Sequence, residues 1–201
     1  MKNLMKITDV DGTDVLCIQE PYVIYNKIVG IPRKHKTFAA GEGRQRAAIV
    51  VTNNLLDSIL IRQLSDEDTV VIEVVNNKAK IIIASMYFDI NRRIEDDLNK
   101  IEAIIQHAKG AGVIMAMDSN SRSTSWHDTL TNTRGRILEE FLISKNLHIM
   151  KEESTLTTYR SSRGTSNIDL TVISNQILRA VEVWEVSDKK AALTRVSLNS
   201  P

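Results

Sequence analysis

A mixed α+β domain, with two packed sheets and flanking helices, is the fold this 201-residue sequence predicts. Three observations carry that expectation. Short apolar, β-branched runs recur along the chain. Only two segments keep a helical period. No repeat, low-complexity tract or linker divides the sequence, which has 8 Gly and 3 Pro and is 42% hydrophobic, enough for a single core. Residues 1–201 therefore read as one domain.

The elements follow in order. Val15–Gln19 is short and apolar, with Asp11-Gly12 before it and Pro21 after it. Ala47–Val51 is similar. Residues 58–62 and 69–75 are β-branched and partly alternating, and Asn76-Asn77 separates the second run from 79–86 as a hairpin turn would. From Ile94, apolar residues recur at Leu98, Ile101, Ile104, Ile105 and Ala108, one face of a helix, with Gly110 as its stop. Residues 113–117 form the next strand. A second helix spans 134–145, with Ile137, Leu138, Phe141 and Leu142 inward and Asn146 as a C-cap. Residues 168–173 and 181–186 complete the set of strands. The loop 31–46 is basic, with Arg33, Lys34, Lys36, Arg44 and Arg46, and contains Gly41 and Gly43.

Charge and cysteine narrow the setting. Lys and Arg number 26 against 25 Asp and Glu, a net charge of +1, so no polybasic or polyacidic tail dominates. One cysteine, Cys17, allows no internal disulfide and no cysteine-based zinc site, which favours a reducing compartment. No apolar run is long enough for a signal peptide or a bilayer span. The expectation is a soluble intracellular protein, nuclear or cytoplasmic.

The informative acids stand at strand ends. Glu20 follows the first strand, Asp118 follows 113–117 with Asn120 two residues on, Asp169 lies inside 168–173, and Asp188 follows 181–186. Polar groups at strand ends converge on one rim of a layered fold, and oxygen ligands suit a hard cation such as magnesium. Taken singly, each acid also reads as turn chemistry, because Asp and Asn bond their own backbone. Asp169 stands apart, since a carboxylate inside an apolar strand needs a partner. The histidines His35, His107, His127 and His148 show no metal-ligand spacing. Ser119, Ser121, Ser123 and Ser125 lack a Gly-x-Ser-x-Gly elbow, and there is no phosphate-binding glycine motif.

Taken in order, several pieces resemble one family. They are Leu16-Cys-Ile-Gln-Glu-Pro-Tyr22, Ala84-Ser-Met-Tyr-Phe88, Met117-Asp-Ser-Asn-Ser-Arg-Ser-Thr-Ser-Trp-His127, Asn132-Thr-Arg-Gly-Arg136, Thr158-Tyr-Arg-Ser-Ser-Arg-Gly-Thr-Ser-Asn-Ile-Asp-Leu170 and Ser187-Asp188. Together they resemble the endonuclease/exonuclease/phosphatase superfamily, and within it the apurinic-type endonuclease domain of non-LTR retrotransposons. The resemblance implies a four-layer α/β sandwich. It implies that Glu20 holds the divalent metal, magnesium or manganese, and that Asp188 lies beside it as the acid before a catalytic histidine. It gives Tyr87 and Asn120 to the scissile phosphate, Asp118 to the attacking water, Thr158 to a place near the phosphate, and Asp169 to the histidine. Arg134, Arg160, Arg163 and the basic loop are expected to meet backbone phosphates or to stand in solvent.

The implied activity is magnesium-dependent nicking of double-stranded DNA, leaving a 3′ hydroxyl for a reverse-transcriptase domain of the parent protein. A monomer is expected. Two departures bear on it. The family's first strand carries a metal-binding asparagine well upstream of the glutamate, whereas only 19 residues precede Glu20 here. The family's final Ser-Asp-His reads Ser187-Asp188-Lys189, and the tail 190–201 has no apolar strand. The expectation is a domain truncated at both ends, without its first and final strands. A relic that only binds DNA or a partner, and a phosphoesterase with another substrate, are the alternatives.

Overall fold

The computed structural model describes residues 12–76, 79–151, 157–161 and 164–180, with the backbone alone for Asn76, Arg160, Ser161 and Ala180. Strand β1 (Val15–Gln19) leads into a small hairpin, β2 (Val23–Ile24) and β3 (Lys27–Ile28), then β4 (Lys36–Phe38) and β5 (Ala47–Val51). The order β1-β5-β4 makes a three-stranded antiparallel sheet. Next come β6 (Asp57–Leu60), β7 (Thr69–Asn76), β8 (Ala79–Tyr87), helix α1 (Ile94–Ala108), β9 (Gly112–Asp118) and helix α2 (Thr133–Ser144). The described part closes with β10 (Leu147–Met150), the hairpin β11 (Tyr159–Ser161) and β12 (Gly164–Ser166), and β13 (Asp169–Ser174). The larger sheet has the order β10-β13-β9-β8-β7-β6. Its one parallel pair, β8 with β9, is the pair that α1 connects.

Alternation along the strands separates two cores. Val70, Ile72 and Val74 of β7 and Ile83 of β8 meet Ala47, Ile49 and Val51 of β5 between the sheets. On the other face of the large sheet, Ile82, Ala84, Met86, Val113, Met115, Met117, Leu170 and Val172 pack under Ile94, Leu98, Ile101 and Ile104 of α1 and Leu138 and Leu142 of α2. The small sheet turns Leu16, Ile18, Ala48 and Val50 outward against Ile28 and Ile31. The expected sandwich is therefore present. Among the described residues, both long helices lie on the large sheet, and the outer face of the small sheet is lined by the excursion after β1.

Several boundaries differ from expectation. The run 58–62 is a strand only over Asp57–Leu60, after which Arg62–Leu64 turns into a 3-10 helix. The last described strand is Asp169–Ser174 rather than 168–173. The basic loop contains β4, and β10 was not among the expected strands. The expected strand 181–186 lies outside the described residues.

Helix ends follow local chemistry. Lys109 and Gly110, at φ 49° and 90°, stop α1, and Asn146 at φ 52° follows α2. Asn132 caps α2: its Oδ1 accepts from the Gly135 amide at 2.7 Å and the Arg122 amide at 3.2 Å. A Cβ on Gly135 would stand 1.9 Å from the Arg122 carbonyl oxygen, so only glycine lets this helix start press on the segment after β9.

Candidate active site

Three adjacent strands of the large sheet end in a row. Asp118 of β9 stands opposite Tyr87 of β8 on one side and opposite Asp169 of β13 on the other. Neighbouring strands are about 4.8 Å apart, so the row spans roughly 10 Å. The small sheet delivers Glu20 to the same end. Gln19, the residue before it, donates from Nε2 to Ser85 Oγ at 2.9 Å and to the Ala116 carbonyl at 3.1 Å. Ser85 Oγ in turn donates to the Ile18 carbonyl at 3.1 Å. These bonds stitch the end of β1 onto β8 and β9. Glu20 then turns through φ 47° with its side chain exposed.

The electrostatics record the same closeness. Burial pushes the Asp118 carboxyl up to about 7, with the charges of Asp169 and then Glu20 adding to the rise; the Asn120 amide works against it. Burial also raises the Tyr87 phenol, with Glu20 and Asp118 contributing. Asp169 is raised by burial, while a hydrogen bond with Thr158 and the charge of Lys151 pull it back. The site is a cluster of oxygen groups under mutual like-charge stress.

Further contacts fix the surrounding donors. Asn120, at φ 43°, donates its backbone N–H to Asp118 Oδ1 at 3.2 Å and one amide hydrogen to the Phe88 carbonyl at 2.8 Å. Thr158 Oγ1 accepts from the Ile168 and Asp169 amides, each at 3.1 Å. Asn167 binds this segment to the loop after β9. Its Nδ2 donates to the His127 carbonyl at 2.8 Å, and its Oδ1 accepts from Lys151 Nζ at 3.0 Å and the Thr158 amide at 3.2 Å. The Asn167 amide donates to Asp128 Oδ2 at 2.8 Å, and Arg122 grips Asp128 Oδ1 with both Nε and Nη2. Trp126 of the Trp-His step is a fully buried core residue.

Arg46, expected as a phosphate contact, takes an internal role instead. Its Nε and Nη2 grip the two oxygens of Asp68 at 2.6 and 2.7 Å, and its Nη1 donates to Asp89 at 2.7 Å. The guanidinium lies 4.7 Å from the Tyr87 ring centroid. The Arg46 carbonyl accepts from the Glu20 amide at 2.8 Å, and the Asp68 carbonyl accepts from the Tyr87 amide at 2.8 Å. One arginine thus joins the turn at Glu20 to the end of β8. Its partners lie 22 and 43 residues away, so no local sequence signal marks it.

The predicted residues divide as follows. Glu20, Tyr87, Asp118, Asn120, Thr158 and Asp169 are brought to one rim. Arg134 is engaged with α1, its Nη1 donating to the Arg92 carbonyl at 2.8 Å and its Nη2 lying 3.7 Å from Asp97. The Arg160 backbone lies in β11, but its side chain, like Arg163 and Asp188, is outside the described residues. Lys151 and Asn167 were not singled out by sequence reasoning; the adjacency of Asn167 to Ile168-Asp169 was the available signal.

A two-sheet sandwich with strand-end acids on one rim defines the class: an endonuclease/exonuclease/phosphatase fold. The sequence profile of the endonuclease-reverse transcriptase family matches residues 81–192, more than half of the chain, and the chain belongs to that family. A 115 kDa protein of the type-1 retrotransposable element R1DM of Drosophila melanogaster is 23% identical over 185 residues, covering 85% of this chain and 18% of that protein. The chain spans less than a fifth of the curated relatives it matches. The endonuclease domain of TRAS1, a telomere-specific non-LTR retrotransposon, superposes with a TM-score of 0.85 at 26% identity, over 94% of this chain and 85% of that one. An AP endonuclease of Leishmania major shares the fold at 12% identity, with a TM-score of 0.69 over 90% of this chain and 75% of that one. Among the described residues, no helix is long and apolar enough to cross a membrane.

Proposed function

We propose that this chain is a DNA-nicking module of a non-LTR retrotransposon protein. It hydrolyses one phosphodiester of duplex DNA, and the 3′ hydroxyl left behind primes a reverse-transcriptase domain of the parent polypeptide. The observation that carries the reading is the row Tyr87, Asp118, Asp169 with Glu20 brought over it from the other sheet. Asp118 takes the proton of the attacking water, Tyr87 and the second amide hydrogen of Asn120 hold a phosphate oxygen, and the P–O3′ bond breaks as the 3′ oxygen takes a proton from solvent water.

The donors at the rim fit a hard divalent cation. They are oxygens only, and their mutual repulsion at Asp118 is what a cation relieves. Among the described residues, no group of three or more His, Cys, Asp and Glu forms a complete cage. Magnesium needs none, since it binds through one or two carboxylates and keeps its waters. Glu20 would hold it, with Asp188 as the second ligand that the family resemblance implies. When bound, the cation neutralises charge on the phosphate and at the leaving oxygen.

Incubation of supercoiled plasmid with the chain tests this. Magnesium should give open circles and EDTA none. Lys189, where the family carries histidine, favours a second reading, a relic that binds without cutting. DNA retention with no nicking in magnesium or manganese would establish it.

A further inference from the structure

The chain leaves the rim at Glu20 and returns to it at Arg46, where the Glu20 amide meets the Arg46 carbonyl. Residues 21–45 are thus an excursion with both ends pinned beside the acids. Between Tyr22 and Gln45 it carries Lys27, Arg33, Lys34, Lys36 and Arg44 against one acid, Glu42. That is +4 in a chain whose total is +1. A polyanion is repelled by Glu20, Asp118 and Asp169, so something adjacent must hold it, and this segment has the sign to do so.

The excursion also presents apolar surface. Tyr22, Ile24 and Tyr25 are 62%, 41% and 95% exposed. Tyr25 and Asn26 form the two-residue turn between β2 and β3, at φ 49° and 57°. Asn or Gly suits such a position, and an aromatic residue in the left-handed region costs energy. At 95% exposure, packing within the chain does not repay that cost. The tip is nonetheless held in place. Asn26 Nδ2 donates to the Glu42 carbonyl at 3.0 Å, and Glu67 Oε1 accepts from the Glu42 and Gly43 amides, each at 3.0 Å.

We infer that residues 21–45 are the DNA grip of this chain: Lys27, Arg33 and Arg44 hold backbone phosphates, and Tyr25 packs on a base or sugar beside the cut. The inference rests on the nicking reading and adds the surface that holds the substrate. Tyr25 lies five residue steps along the chain from Glu20, a reach of at most about 18 Å. At 3.4 Å per base pair, the contact falls within about five base pairs of the scissile phosphate.

Fluorescence anisotropy with a duplex of about 30 base pairs, in EDTA and from about 50 to 200 mM salt, tests it. Replacing all three cations (K27A, R33A, R44A) should reduce the slope of log K against log salt by about 2 to 3. Tyr25→Ala should weaken binding about 5- to 100-fold with the slope unchanged. Tyr25→Phe should bind like the parent, and circular dichroism should show every variant folded. An unchanged slope in the triple variant, or parent-like affinity in Tyr25→Ala, overturns the inference and leaves the nicking reading intact. A parent chain that binds no duplex overturns both.

Discussion

A carboxylate that takes a proton from water works best when its affinity for that proton lies near the working pH. Asp118 is at about 7, raised by burial and then by Asp169 and Glu20. In the proposed reaction the active form is the ionised one, so nicking should rise with pH and level off above about 7, with the inflection drawn lower as magnesium is added. Asp118→Asn should cut the plasmid nicking rate more than about 100-fold while circular dichroism shows the fold retained. Lys189→His supplies the histidine that the family resemblance implies as the partner of Asp169 and, on the proposed mechanism, should increase magnesium-dependent nicking over the parent chain. Asp97 of α1 is 5% exposed, its Oδ2 lacks a hydrogen bond, and burial raises its pKa to about 6. The native state then keeps a proton that the unfolded chain releases, so stability falls as pH rises from about 4 to about 6 and stays reduced above. Asp97→Asn should remove that fall and raise the melting temperature at neutral pH, with a gain of at most about 3 kcal/mol.

Secondary elements were legible in proportion to their length and period. The 15-residue α1 repeats its apolar face four times over, and β1 and β5 match their expected bounds residue for residue. The hairpin strands β2 and β3, two residues each, and β11 and β12, three each, are too short for any period to develop. They exist because turns and tertiary contacts hold them. The start of α2 shows how an element shapes the site. Asn132→Ala should cost about 1–2 kcal/mol through the lost cap. Gly135→Ala should cost more, because its methyl meets the Arg122 carbonyl and the segment carrying Asp118 and Asn120 must shift. Urea denaturation of the two variants measures both effects.

Across the whole molecule, the rim acids were legible because strand ends converge in any layered sheet, while the device that aligns the two sheets was not. Arg46 reads in sequence as one more cation in a basic loop. Its fork reaches Asp68 and Asp89, and its stacking on Tyr87 crosses from one sheet to the other. Arg46→Met would leave Asp68, its side chain 5% exposed, with Arg92 as its remaining ion-pair partner among the described residues, and Asp89 without one there. We expect a loss of about 3–5 kcal/mol in urea denaturation, and Arg46→Lys should recover only part of it. Nicking should fall further than stability alone explains, since the Tyr87 ring loses its stacked guanidinium and the backbone that holds the Glu20 turn loses its side-chain anchor to Asp68 and Asp89.

The hydrogen bond between Glu20 and Arg46 closes a handle on the side of the molecule, and five register pairs between β1 and β5 brace its two ends. A protease that severs the peptide bond after Lys27 or Arg33 would open the handle without separating those braces. On the proposed grip, such a clipped molecule would keep the row of Tyr87, Asp118 and Asp169 assembled while losing its hold on duplex DNA, which would make seizing and cutting physically separable acts of a single fold.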